Sequence, residues 1–289
     1  MSKAPVLPPE REGRPPAEAI AKLREQMAQA AQAGAWATTP APDEVRLGGL
    51  RALRFGAHHG ARARVLEFHG GGFRLGMPDY CGPFAAALAQ QCRVAVDVVQ
   101  YRLAPEHPFP AGLHDALAAL QALAAEPEGG PVVLVGDSAG GGLAASLALL
   151  AQAQAIAVAG LVLLSPWLDL TVTAPSYASN AQSDPLFSRP AAELAADLYL
   201  QGHDPRDPLV SPLLADPAAF PPTLVCVGKG EVLHDDAVRF HRKLRQAGVD
   251  VTLSVIDGMD HVAVLRGMDL PGARRTFAAV AGFVAGLIA

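Results

Sequence analysis

Cysteine is scarce in this 289-residue chain, at three positions, Cys81, Cys92 and Cys226. An odd number with no paired spacing excludes a disulfide framework and a zinc knuckle, and suits a reducing compartment. An excess of positive charge is also missing. With a net charge of −5 the chain carries no electrostatic footprint for nucleic acid or an anionic membrane. The first ten residues, Met1 to Glu10, lack the apolar core of a secretion signal, so a cytoplasmic protein is expected. Internal repeats and low-complexity linkers are absent too. A 51% apolar chain of this length suits one large domain with insertions. Charge is lacking altogether between Ser138 and Leu168, long enough to span a bilayer. Three opening glycines, then Gln152, Gln154 and Gly160, break that stretch into a buried helix feeding a buried strand, so no stable membrane insertion is expected.

What the chain does have centres on Val132-Val-Leu-Val-Gly-Asp-Ser-Ala-Gly-Gly141. Four apolar residues read as a buried strand, and Leu143–Leu150 reads as a buried helix. Between them Gly136-Asp-Ser138-Ala-Gly140 fits G-x-S-x-G, the turn that lifts a strained serine above a sheet. Glycine on either side is a steric demand, because a Cβ would collide with the neighbouring element.

The remaining pattern alternates strand and helix. A helix over Ala17–Gly34 carries Ile20, Leu23 and Met27 on one face, and can be a packing helix or part of a lid. Glu44–Leu47 and Leu50–Phe55 read as a hairpin through Gly48-Gly49. Further strands fall at Arg64–Phe68, Val94–Val99, Leu161–Leu164, Thr223–Val227 and Val251–Ile256. Helices are expected near 78–91, 112–125 and 235–247, and from about 271. This predicts an α/β fold, a mostly parallel central sheet with helices on both faces. Residues 172–217 break the rhythm with Pro175, Pro185, Pro190, Pro205, Pro208 and Pro212 between short helices such as Ala191–Leu200, and read as an insertion between two sheet strands. Residues 1–16, rich in Pro, Arg and Glu, read as a poorly ordered lead.

A nucleophilic serine needs a base, an acid that orients it, and donors for the developing oxyanion. His69-Gly70-Gly71-Gly72 directly follows a strand, and the backbone N–H groups of Gly71 and Gly72 can approach a substrate oxygen closely. The N–H of Ala139, just after the serine, supplies a third donor. His69-Gly-Gly-Gly-Phe73, Tyr101-Arg-Leu-Ala-Pro-Glu106, Gly136-Asp-Ser-Ala-Gly-Gly141 and Asp204-Pro-Arg-Asp-Pro-Leu-Val-Ser-Pro212 together resemble the bacterial hormone-sensitive-lipase family of carboxylesterases, over about Val65 to His261. The resemblance implies an α/β-hydrolase core over 44–171 and 218–289. It also implies a helical cap from residues 1–43 and the insertion 172–217, which decides the Ala17–Gly34 helix in favour of a lid.

The chain order of such hydrolases puts the base after the acid, and His261, in Gly258-Met-Asp-His261, lies just past the strand Val251–Ile256. His203, His234 and His241 read as surface residues. In the family the histidine is commonly followed by Gly-Phe; here Val262-Ala263 follows. The family's Asp-Pro-Leu-x-Asp aligns with Glu231-Val-Leu-His-Asp235, which gives the acid to Glu231, with Asp235, and behind it Asp257 or Asp260, as alternatives. Asp137, Tyr101 and Glu106 are expected to brace the His69–Gly72 loop, and Arg102 to make ordinary polar pairs. Candidate pocket residues are Phe73, Leu75, Tyr177, Leu186, Phe187, Val232 and Val262. The expected reaction is hydrolysis of short- to medium-chain acyl esters through an acyl-enzyme on Ser138, with no metal or organic cofactor. An amidase, a hydrolase of a specialised ester, or a non-catalytic receptor on the same fold are the alternatives. The resemblance also implies a homodimer through the last sheet strand.

Overall fold

A computed structural model describes residues 5–56, 60–126 and 130–288. In chain order the strands are β1 (Asp43–Leu47), β2 (Leu50–Phe55), β3 (Arg64–Phe68), β4 (Ala95–Val99), β5 (Val132–Asp137), β6 (Gly160–Leu164), β7 (Thr223–Gly228) and β8 (Val251–Ile256). The helices are α1 (Glu18–Gln32), α2 (Pro78–Cys92), α3 (Ala111–Ala124), α4 (Ser138–Ala153), α5 (Ser176–Ser179), α6 (Arg189–Leu200), α7 (His234–Gln246), α8 (Ala263–Arg266) and α9 (Ala273–Leu287). One eight-stranded sheet runs in the order β1-β2-β4-β3-β5-β6-β7-β8. Only β2 runs against its neighbours; β4 through β8 are parallel. β8 is an edge strand.

Period-two patterning explains why the central strands read as unbroken apolar runs. Leu66, Phe68 and Leu134 point into one core, lined by α3 and α4. Val65, Val133 and Val135 point into the other, lined by α2 and α9. A strand covered on both faces has no polar side to display. The charge-free stretch from Ser138 resolves into α4 and β6, as its glycines and glutamines predict, and no described helix is long and apolar enough to cross a membrane.

Strand order fixes where a site can form. From β3 the chain steps to β4 on one side, then returns to place β5 on the other. The loops leaving the carboxyl ends of β3 and β5 therefore diverge and leave a crevice between them. Those two loops are His69–Gly72 and the turn at Ser138.

The N-terminal lead departs from expectation. Met1–Ala4 lie outside the described residues, but residues 5–17 form a strap held by specific contacts. Arg11 donates from Nη2 to the carbonyls of Phe109 (3.0 Å) and Leu200 (2.7 Å), and Arg14 pairs with Asp197. Helix α1 buries Ile20 but leaves Leu23 exposed, so its apolar stripe is only partly covered. A side chain outside that stripe does the anchoring. Arg24 donates to the carbonyls of Arg74 and Ala104 and pairs with Glu106 at 2.6 Å. The helix is thereby fastened to the loop that follows β3.

Candidate active site

The turn between β5 and α4 is as tight as the glycine spacing demands. Ser138 sits at φ +51°, a left-handed conformation that costs a non-glycine residue about 1–2 kcal/mol. α4 starts at Ser138 itself, earlier than the predicted Leu143, because its three glycines let the helix approach the sheet. A Cβ on Gly140 would overlap the Phe68 carbonyl oxygen and lie 2.5 Å from that of His69. Both obstacles are backbone, so relaxation is expensive. Gly140→Ala is expected to destabilise the protein by about 3 kcal/mol or more. Urea denaturation with an unchanged m-value would measure it; a loss under about 1 kcal/mol contradicts this packing account.

Three side chains from three loops converge above the sheet. The imidazole of His261, past β8, lies 3.0 Å by Nε2 from Ser138 Oγ and 2.8 Å by Nδ1 from Glu231 Oε2, past β7. Glu231 is longer than the aspartate of the family pattern, and the structure shows how it fits. Its chain folds back so that Oε1 accepts from the Gly228 N–H (2.5 Å) and the Ser165 hydroxyl (2.8 Å), leaving Oε2 for His261. The alternative acids are engaged elsewhere. Asp235 accepts from the Ser176 N–H, Asp260 faces Arg266, and Asp257 is exposed. His203 bonds Asp207 and His234 bonds Asp235, while His241 lies half-buried on α7.

Burial opposes a charge on His261, but the hydrogen bond and negative charge of Glu231 outweigh it, so the pKa is held above the ordinary 6.5. With Nδ1–H donating to Glu231, Nε2 is left as an acceptor for the serine hydroxyl proton.

The loop after β3 is built to present bare N–H groups. Gly71 and Gly72 take φ values of +108° and +63°, and their N–H groups donate to no acceptor among the described residues. The Ala139 N–H lies in the first turn of α4, where helical N–H groups have no intrahelical partner. Bracing comes from beneath. Gly70 N–H donates to Asp137 Oδ1 at 2.7 Å, and Tyr101 donates its hydroxyl proton to the His69 carbonyl at 2.7 Å. Burial pushes Asp137 up to about 7, against the lowering pull of the Gly70 N–H. Burial takes His69 down to about 4, so its ring is neutral, stacked on Tyr101 at 4.5 Å, with Nδ1–H donating to the Gly70 carbonyl. Glu106 holds Arg24, and Arg102 pairs with Asp115 and Glu10 and does not line the cavity at Ser138.

A cavity of about 310 Å³ opens at Ser138. Of the expected wall residues, Leu75, Leu186, Phe187 and Val262 line it, and Phe187 stacks on His261 at 5.8 Å. Phe73, Tyr177 and Val232 do not; they are core residues, with Phe73 stacked on Tyr199 at 3.8 Å. Met27 from α1, Tyr80, Arg74 and Arg266 complete the wall, and sequence reasoning missed all four. It also missed Ser165 and Asp184. Ser165 holds Glu231 and accepts from the Val262 N–H, while Asp184 caps the N–H groups of Leu186, Phe187 and Val232. As isolated polar residues in loops, neither carries a spacing signal. The departure at Val262 also gains a physical meaning. Its φ is +53°, a conformation glycine adopts freely, and a β-branched residue accepts it here with its side chain buried.

The chain is similar in sequence and in fold to known proteins. A family described by the alpha/beta hydrolase fold matches residues 65–265. An esterase of Acinetobacter venetianus is 36% identical over 248 residues, covering 84% of this chain and 81% of its own. An acetyl-hydrolase of Streptomyces hygroscopicus is 38% identical over 222 residues, covering 76% and 74%. The crystal structure of an esterase of the bacterial hormone-sensitive lipase family superposes with a TM-score of 0.81 at 34% identity, covering 86% of this chain and 84% of that one. Sheet, crevice and matched residues define an α/β hydrolase. Within that class the chain belongs to the bacterial hormone-sensitive lipase family, and it is a carboxylic ester hydrolase.

Proposed function

We propose that Ser138, His261 and Glu231 form the catalytic triad of a hydrolase for short- to medium-chain acyl esters. The observation that carries it is the continuous hydrogen-bonded relay Ser138–His261–Glu231 at the mouth of the cavity. His261 Nε2 takes the Ser138 proton as Oγ attacks the ester carbonyl carbon. Negative charge develops on the carbonyl oxygen, where the N–H groups of Gly71, Gly72 and Ala139 receive it without reorganising. The tetrahedral species collapses, the C–O bond to the alcohol breaks, and the imidazolium returns its proton to the departing oxygen. Water then repeats the sequence on the acyl-enzyme, releasing the acid and restoring Ser138. Substrate, water and these side chains hold every proton and electron pair in the cycle.

The short-chain preference is supported by the small cavity and by the apolar side chains of Leu186, Phe187 and Met27 that line it. The acetyl group in the name of the Streptomyces relative points the same way. Helix α1 and residues 172–217, which supply those three side chains, act as the cap in this reading. A series of p-nitrophenyl esters from acetate to palmitate tests it. The ratio kcat/KM is expected to peak at or below octanoate and to fall by about tenfold or more by palmitate. A profile that climbs to palmitate contradicts the assignment of acyl length, and no turnover of any ester contradicts the triad.

A further inference from the structure

One charge on the cavity wall is not used by this mechanism. The Phe73 ring turns inward onto Tyr199, and the next side chain, Arg74, lines the cavity. Its Nε packs over the oxyanion loop, 3.4 Å from where a Cβ on Gly72 would stand. That Nε is buried and has no hydrogen-bond partner, and no carboxylate among the described residues forms an ion pair with the guanidinium. The other buried or half-buried arginines among the described residues are paired: Arg24 with Glu106, Arg51 with Glu44, Arg54 and Arg64 with Asp97, Arg102 with Asp115, and Arg239 with Asp169. Burial alone acts on Arg74, lowering its pKa with no carboxylate to offset it, yet a guanidinium stays protonated.

A second cation shares the wall. Arg266 at the end of α8 reaches the cavity, and its carboxylate partner, Asp260, stands at 3.4 Å on the exposed side. The one carboxyl lining the cavity, Asp137, is already accepting from the Gly70 N–H. Beside the nucleophile, Arg74 therefore presents positive charge that no carboxylate among the described residues pairs, and Arg266 adds charge that its Asp260 partner meets only at 3.4 Å. Desolvating an unpaired cation costs free energy that a bound anion returns, and the planar fork of arginine matches a carboxylate two bonds at a time.

We propose that the enzyme prefers esters that carry a free carboxylate, such as half-esters of dicarboxylic acids, with Arg74 as the main anchor and Arg266 as the second. This rests on reading the cavity at Ser138 as the ester site. The test compares kcat/KM by pH-stat for two matched pairs at low salt. Monoethyl adipate is set against ethyl hexanoate, with the carboxylate on the acyl side. 3-Acetoxybenzoate is set against phenyl acetate, with the carboxylate on the alcohol side. The anionic member is expected to win in at least one pair. In Arg74→Gln that preference ratio is expected to fall by about tenfold or more, whereas general damage to the fold lowers both members together and leaves the ratio alone. In the unaltered enzyme, 0.5 M NaCl is expected to shrink the ratio several-fold, which needs no variant to fold. Neutral esters winning both pairs, or a ratio indifferent to both salt and Arg74→Gln, overturns the proposal and leaves the esterase reading intact. Failure to hydrolyse all four esters overturns that reading instead.

Discussion

Replacing Ser138 by alanine is expected to lower kcat for p-nitrophenyl butyrate by about 10⁵- to 10⁶-fold. Everything else in the site survives the change. The N–H groups of Gly71, Gly72 and Ala139 stay in place, so a residual rate about 10³-fold over uncatalysed hydrolysis is expected from binding and oxyanion stabilisation. Folding is expected to change little. The hydroxyl's one hydrogen bond, to His261, is lost, while the Cβ and its +51° φ remain, so the strain at the elbow is common to both proteins. A thermal melt within a few degrees of the parent, beside the collapsed rate, separates loss of chemistry from loss of structure. Activity within tenfold of the parent would remove Ser138 as the proposed nucleophile.

Glu231→Gln is expected to cost about 10³- to 10⁴-fold in kcat, because an amide can hold the imidazole in the wrong tautomer and does not stabilise imidazolium. The pH profile supplies a second, independent reading. Only neutral His261 accepts the serine proton, so kcat/KM in the parent rises with pH through the pKa of His261. Its raised value puts that limb above pH 6.5. Burial, the largest single influence, pulls this pKa down, and Glu231 overrides it. Removing the Glu231 charge leaves burial in command, so the acidic limb is expected to move to lower pH as the rate drops. Asp235→Asn is the control. Asp235 holds the Ser176 N–H rather than the imidazole, and an effect under about tenfold is expected. A collapse in Asp235→Asn with Glu231→Gln active would move the acid four residues along the chain.

The parts legible in the sequence are those fixed by local sterics and period. β2, β3 and β8 fall where alternation and turn signals put them, and the Ser138 elbow is readable because a strand, two glycines and a helix must follow one another within a few residues. Parts fixed by distant contacts are not readable. Phe73 looks like a pocket aromatic, yet a Tyr199 ring more than a hundred residues away draws it into the core. Proline and arginine near the N-terminus suggest disorder by composition, but Arg11 finds carbonyl oxygens at the end of α6 that no local pattern announces. The fit of Glu231 depends on Gly228 and Ser165 from two different strand ends. Its identity as an acid could be aligned, while its folded-back conformation could not be.

The chain between β6 and β7 leaves and rejoins the sheet through a sewn stalk. Outgoing Trp167 donates its backbone N–H to the Ser138 carbonyl, and the Asp236 carboxylate accepts the backbone N–H groups of Leu168 and Asp169. Returning Ser211 accepts the Leu170 N–H, and the Leu213 N–H closes the neck on the Leu168 carbonyl. With the neck tied, the ends of the segment are held together however much chain lies beyond them. The entropy of closing a loop grows only logarithmically with its length, by about 0.6 kcal/mol per doubling. If this segment is the cap proposed above, it can be lengthened, shortened or resurfaced almost independently of the triad proposed beneath it. On that proposal it is, in an evolutionary sense, an exchangeable lampshade on a fixed lamp, through which new substrates can be sampled without relearning how to break the ester bond.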